Sequence, residues 1–246
     1  MSKLDAPLAY RMRPRTLAEF VGQHDALGEG TPLRAAIEQD ALHSLILAGP
    51  PGTGKTTIAH LIATATKAEF ISISAVLSGA KELKEVCGGA SERWRGLKQK
   101  TVLFVDEIHR FNKAQQDALL PSVEEGSVVL VGATTENPYF EVNAAVVSRS
   151  HVVLLQPLTE EDIVEILKRA LADERGYGGK VKADEAALKR IAVIAAGDAR
   201  AALNALELTV MMSGGTLTLA QAEAALKEKL KRYDKGGEEH YDTISA

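Results

Sequence analysis

Gly49-Pro50-Pro51-Gly52-Thr53-Gly54-Lys55-Thr56 is the stretch whose reading decides the fold. Gly49 and Gly54 enclose four residues and are followed by Lys and Thr, which is the phosphate-loop pattern. An apolar run, Ser44-Leu45-Ile46-Leu47-Ala48, leads in, and a helix-like stretch from Thr57 to Ala63 leads out. Strand, loop and helix are the context that turns the pattern into a site. Glycines let main-chain N–H groups converge on phosphate oxygens, and the helix N-terminus adds a positive dipole end. Pro51, Gly52, Thr53, Gly54, Lys55, Thr56 and Thr57 are therefore the expected contacts to a nucleoside triphosphate. Lys55 would reach the β- and γ-phosphates, and the Thr56 hydroxyl would ligate Mg²⁺.

The bulk composition bounds the rest. The chain has 246 residues, 46% hydrophobic and 25% charged, enough for one large or two modest domains. No apolar run approaches the ~20 residues that cross a bilayer, and Met1-Ser2-Lys3-Leu4-Asp5 lacks a signal-peptide core. The single cysteine, Cys87, excludes an internal disulfide and suits a reducing cytoplasm. There is no Cys and His cluster at zinc spacing. With a net charge of -4, no global basic field draws the chain to nucleic acid. Contact with DNA must come from a local patch, a partner subunit or sequence not present here.

Residues 1–43 carry Pro, Arg and Gly, with one short helix candidate near Leu33–Ile37. Residues 44–157 alternate strand-like and helical runs. Strands are expected at 44–48, 70–74, 101–106, 128–133 and 152–155, with helices at 80–98, interrupted at Gly88-Gly89, and at 113–123. That alternation predicts an α/β core, a parallel sheet between helices. Beyond Pro157 the strand signals vanish. Thr159-Glu160-Glu161-Asp162 reads as a cap and acidic first turn, opening helices at 160–174, 184–196, 199–213 and 219–231. Residues 158–233 are thus expected to form a small all-helical second domain. Residues 234–246 read as a polar linker and the start of a further region.

Asp106-Glu107 ends the run Val102–Val105 about 50 residues after the phosphate loop. Ligands sit at the C-terminal ends of strands in open parallel sheets. Asp106 would hold Mg²⁺, directly or through water, and Glu107 would orient and deprotonate a water for attack on the γ-phosphate. A hydroxyl of Thr134 or Thr135, at the end of the next strand, can position that water or merely satisfy a turn. Arg149 precedes the last strand, where an Arg can reach a neighbour's γ-phosphate or simply be solvated. Arg200 lies in the first turn of a helix capped by Asp198, a place where a cation opposes the dipole and calls for an anionic partner.

Gly49 to Thr56, Val105-Asp106-Glu107, Thr134-Thr135, Ser148-Arg149 and Gly197 to Arg200 together resemble the AAA+ ATPases, from Pro7 onward. Pro7 to Pro14, with Phe20-Val21-Gly22-Gln23, resembles the adenine-side segment of the clamp-loader clade. Phe104 to Asp117 and Gly132 to Pro138, with Phe140-Glu141-Val142-Asn143, run far beyond what a nucleotide motif needs. They resemble the replication-associated recombination protein A family, relatives of the Werner-helicase-interacting ATPase. The resemblance implies an AAA+ P-loop core followed by a helical lid, binding ATP and Mg²⁺. It implies a DNA-dependent ATPase at stalled or gapped forks, with single-strand DNA-binding protein as partner, a homo-tetramer, and a cytoplasmic, replisome-associated location without a membrane. By the same resemblance Val21 and Gly22 lie beside adenine. Thr135, in preference to Thr134, is the first sensor, Arg149 the finger acting in trans, and Arg200 the second sensor. Family members continue past His240-Tyr241-Asp242 into a helical oligomerisation region.

Rival readings are a clamp-loader-like ATP switch, a Holliday-junction-motor-like protein and a nucleotide-binding scaffold without turnover. The Glu107 carboxylate speaks against the scaffold. The Asp-Glu-Ile-His sequence at 106–109 invites comparison with two-motor helicases, but about 75 helical residues after the core cannot supply a second motor.

Overall fold

The structure, a computed structural model, describes residues 6–225 and Lys227. The helix expected at 219–231 is helical over 219–225, and its end, with the 234–246 segment, lies outside the described residues. The chain divides into two compact units, Pro14–Pro157 and the described parts of 1–13 with 158–246.

The first unit is built on a parallel sheet of β1 (Leu45–Ala48), β2 (Glu69–Ser74), β3 (Thr101–Asp106), β4 (Val128–Thr134) and β5 (His151–Leu154), in the order β2-β3-β4-β1-β5. Its inner strands are mostly apolar because both faces are covered. Successive residues serve opposite faces. Leu45, Leu47, Val102, Phe104, Val129 and Val131 pack with Ile58 and Ile62 of the helix Lys55–Thr66. Ile46, Leu103, Val105, Val128 and Leu130 pack with Leu83, Cys87 and Ala90 of the helix Ala80–Leu97. Burial pushes the Cys87 thiol pKa up, so this cysteine serves as a small apolar side chain. Register sets Ala48 beside Thr134 and Ser74 beside Asp106, so the C-terminal ends of β1, β3 and β4 share one edge.

Two local expectations change. The helix Ala80–Leu97 runs unbroken through Gly88-Gly89. Glycine costs about 1 kcal/mol in a helix interior, and the buried flank of Leu83, Cys87 and Ala90 offsets it. The helix expected over 113–123 is instead two, Lys113–Asp117 and Leu120–Glu125. Pro121 has no N–H to give the Asp117 carbonyl, so the ladder breaks there.

In the second unit the helices Glu160–Ala172, Glu185–Ala195 and Ala199–Ser213 bury Ile163, Leu167, Leu188, Ile191, Leu203 and Leu206 together. Thr159 and Asp162 form a reciprocal capping box at the start of the first. Contrary to the all-helical expectation, β6 (Lys182–Ala183) and β7 (Thr216–Leu217) pair in parallel here. They are two-residue strands, too short to leave a periodic signal. The 1–43 segment is also not one piece. The short helix Leu8–Arg11 belongs to the second unit, where Leu8 is fully buried in its core. The Leu8 N–H donates to Glu207 Oε1 at 2.9 Å, and Arg11 donates to the carbonyls of Arg175 and Gly176. Among the described residues no helix is long and apolar enough to cross a membrane.

Candidate active site

The phosphate loop follows β1, and its first turn of helix begins at Lys55. Lys55 is 8% exposed, and its Nζ donates to the carbonyls of Gly49 (2.6 Å) and Pro50 (2.8 Å). The Thr53 hydroxyl donates to the Pro50 carbonyl at 2.8 Å, closing the loop on itself. The Gly49 N–H donates to the Thr134 carbonyl at 3.1 Å, tying the loop to the end of β4.

Glycine is required at both ends of the loop. A Cβ on Gly49 would lie 2.4 Å from the Leu155 carbonyl oxygen. One on Gly54, where φ is +101°, would lie 2.6 Å from the Phe20 ring. Phe20 therefore roofs the loop. Gln23 latches it, since its side-chain amide donates to the Gln156 carbonyl (2.6 Å) and accepts the Gln156 N–H (3.1 Å), with the Thr53 carbonyl 3.5 Å away. Val21 is half-buried and Gly22 buried between them in sequence. Beyond the adenine-side resemblance, nothing in the sequence puts Phe20 and Gln23 in contact with the loop, because about 30 residues separate them from it and only the fold closes that gap.

Thr56, Thr57 and Asp106 make no side-chain hydrogen bond among the described residues. A hydroxyl and a carboxylate are hard oxygen donors that suit Mg²⁺, and Mg²⁺ takes most remaining ligands from phosphates and water. No group of three or more His, Cys, Asp or Glu is arranged for a metal among the described residues. The cradle that a Cβ would fill and this donor set fit a Mg–nucleotide.

Glu107 follows β3 in a left-handed conformation (φ 54°, ψ 47°) and caps the short turn Ile108–Arg110. A non-glycine residue in that region is held there at a cost of order 1 kcal/mol, a feature that clusters at functional sites. The turn is pinned by the Arg110 N–H to the Glu107 carbonyl at 2.8 Å. Thr135, which is exposed, places its hydroxyl 3.5 Å from Glu107 Oε2. Thr134 is fully buried and bonds His109 Nδ1 at 2.8 Å. Of the two threonines, it is Thr135 that faces the carboxylate. His109 was not among the residues expected at the site, although it stands two positions after Glu107.

Among the described residues Arg149 forms no hydrogen bond with this group, and Arg200 belongs to the other compact unit. Arg149 donates to Glu124 Oε1 (2.6 Å) and the Ala145 carbonyl (3.0 Å) and is 42% exposed. Arg200 is exposed in the first turn of Ala199–Ser213, where Asp198 caps by accepting the Ala201 N–H at 2.8 Å. Arg13 is the nearby cation. Burial lowers its guanidinium pKa, the Tyr10 charge acts the other way, and Arg200 lowers it further. The basic run near Trp94 is internally engaged: Arg93 with Thr101, Arg95 with Glu125, and Lys98 over the Trp94 ring.

Comparison with known proteins finds P-loop and AAA relatives. A family described as the Holliday junction DNA helicase RuvB P-loop domain matches residues 12–147, and one described as an AAA C-terminal domain matches 177–246. Replication-associated recombination protein A of Coxiella burnetii is 51% identical over 98% of this chain and 56% of its own length. ATPase WRNIP1 of Dictyostelium discoideum is 39% identical over 98% of this chain and 30% of its own. The chain thus spans about half the length of the curated bacterial relatives it matches. The solved Thermotoga maritima RuvB Holliday junction branch migration motor superposes with a TM-score of 0.72 at 28% identity, over 88% of this chain and 72% of that one.

Proposed function

The chain belongs to the AAA+ P-loop ATPases of the RuvB P-loop domain family, and on that footing we propose that it hydrolyses ATP to act on DNA at stalled or gapped replication forks, in replication-associated recombination. The observation that carries the reading is the meeting of Lys55, Asp106, Glu107 and Thr135 at one edge of the sheet, with Glu107 and Thr135 in contact. Backbone N–H groups of Gly52 to Thr57 and the Lys55 ammonium bind the phosphates. Val21 and Gly22 border the base. Thr56 and Asp106 hold Mg²⁺, which offsets the phosphate charge when bound. Glu107 takes a proton from the attacking water, which Thr135 helps to hold. Arg149 serves a neighbouring subunit's nucleotide, and Arg200 senses bound nucleotide. DNA, single-strand DNA-binding protein and further copies of the chain are the proposed partners, in a replisome-associated, cytoplasmic setting.

The test is ATP turnover with forked, gapped and blunt DNA, alongside Glu107→Gln. Forks or gaps should stimulate, and Glu107→Gln should keep nucleotide bound while slowing hydrolysis by about 10²–10⁴, the usual worth of a positioned base. Stimulation only with a sliding clamp would replace the fork reading by a clamp-loader-like switch. Undiminished turnover in Glu107→Gln would remove the assigned base.

A further inference from the structure

Resting on that hydrolytic reading, we propose that His109 is a positioning residue that holds the Glu107 carboxylate, and that Thr134 locks its ring in the tautomer that does so. The His109 side chain is 8% exposed, in the turn directly after β3. Its Nδ1 lies 2.8 Å from Thr134 Oγ1 and its Nε2 lies 3.5 Å from Glu107 Oε2. Thr134 is 0% exposed, and its Oγ1 already accepts the Glu136 N–H at 3.0 Å. Its one hydroxyl proton has a single acceptor among the described residues, His109 Nδ1. A neutral imidazole that accepts at Nδ1 carries its proton on Nε2. That N–H faces the carboxylate. The opposite tautomer would set a nitrogen lone pair against Oε2, a repulsive contact in a half-buried place.

His109 and Thr135 thus aim two donors at the same oxygen of Glu107. The other oxygen is left to receive the proton of the water. Fixing a long Glu side chain costs conformational entropy. The order Glu136 N–H to Thr134 and Thr134 O–H to His109, with His109 Nε2 3.5 Å from Glu107 Oε2, meets that cost before ATP arrives. It also joins the base to β4, whose Thr134 carbonyl accepts the first N–H of the phosphate loop. One residue therefore ties the base and the phosphate cradle to a common frame.

Two substitutions divide the ring into its halves. Gln at 109 places an amide N–H where Nε2 stood and keeps the contact with Glu107. Asn reaches only as far as Nδ1 and keeps the contact with Thr134. His109→Gln should retain kcat within about threefold, and His109→Asn should lose about tenfold or more, equivalent to about 1.4 kcal/mol of barrier. KM for ATP and the thermal midpoint should be alike in the two. Long-range ¹H–¹⁵N spectra of the unsubstituted protein at pH 8 should show Nε2 protonated, and Thr134→Val should yield a tautomer mixture with reduced kcat. An Nδ1-protonated ring, equal losses in the Gln and Asn variants, or wild-type kcat in His109→Asn would each overturn the proposal. Glu107→Gln serves as the control: if it is inactive while His109→Asn is normal, only the positioning role fails. If Glu107→Gln is itself active, the hydrolytic reading fails with it. The tautomer measurement needs no variant, so a misfolded substitution leaves the outcome decidable.

Discussion

Lys55 illustrates how one side chain serves stability and chemistry together. Its ammonium bonds two loop carbonyls at 2.6 and 2.8 Å, so the loop is held open by the group that later meets phosphate. Lys55→Ala should weaken nucleotide binding at least about tenfold, since one charge-assisted hydrogen bond contributes about 1.5–3 kcal/mol. Titration with a fluorescent ATP analogue reads this, and unchanged affinity would remove Lys55 from the cradle. Arg149 is different. Its ion pair with Glu124 lies between side chains 42% and 54% exposed, and such pairs contribute about 0–1 kcal/mol. Arg149→Ala should therefore leave the thermal midpoint and ATP affinity nearly unchanged while lowering turnover. A large fall in stability would assign Arg149 to the fold. The roles of Lys55, Asp106 and Glu107 were readable because strand-end motifs carry their own context. His109 was not, because its significance depends on Thr134, 25 residues away on the neighbouring strand.

At the scale of elements, periodicity located every strand of the main sheet within a residue or two. It could not order them, since the placement of β1 between β4 and β5 is decided by how the crossovers pack. Nor could it judge Gly88-Gly89, where two helix breakers were outweighed by one buried flank. Gly88 has open space around its missing Cβ and ordinary negative φ. Gly88→Ala should therefore stabilise the protein by about 0.5–1 kcal/mol, measurable as a raised denaturation midpoint. A loss would mean that this position is not a relaxed helix interior. Gln23 makes the opposite case. Its amide satisfies both main-chain groups of Gln156 while lying 3.5 Å from the Thr53 carbonyl. Gln23→Ala should cost about 1 kcal/mol of stability and also weaken ATP binding by loosening Thr53. Stability loss with intact affinity would limit Gln23 to a structural brace.

For the whole molecule, the net charge of -4 and the engagement of Arg93 and Arg95 with Thr101 and Glu125 leave affinity for DNA to other exposed cations or to an assembly. If Arg149 acts on a neighbour's nucleotide, mixing the slowed Arg149→Ala and Glu107→Gln proteins should give more turnover than either alone. Sites that combine a sound base with a sound finger would then form in part of the assemblies. No recovery at any ratio would argue for self-contained sites. The pairing of the chain's start with its second half was illegible in the sequence, because a four-residue helix offers no measurable period.

That pairing has a temporal consequence. Leu8 finds its hydrogen-bond partner Glu207 across 199 residues. At translation rates of about 5–20 residues per second, the wait on the ribosome is roughly 10–40 s. The intervening α/β unit emerges first, with its strands complete by Leu154. Leu8 must therefore wait without its buried surroundings until Glu207 is made, which gives a nascent-chain chaperone a long hold on the residues around it.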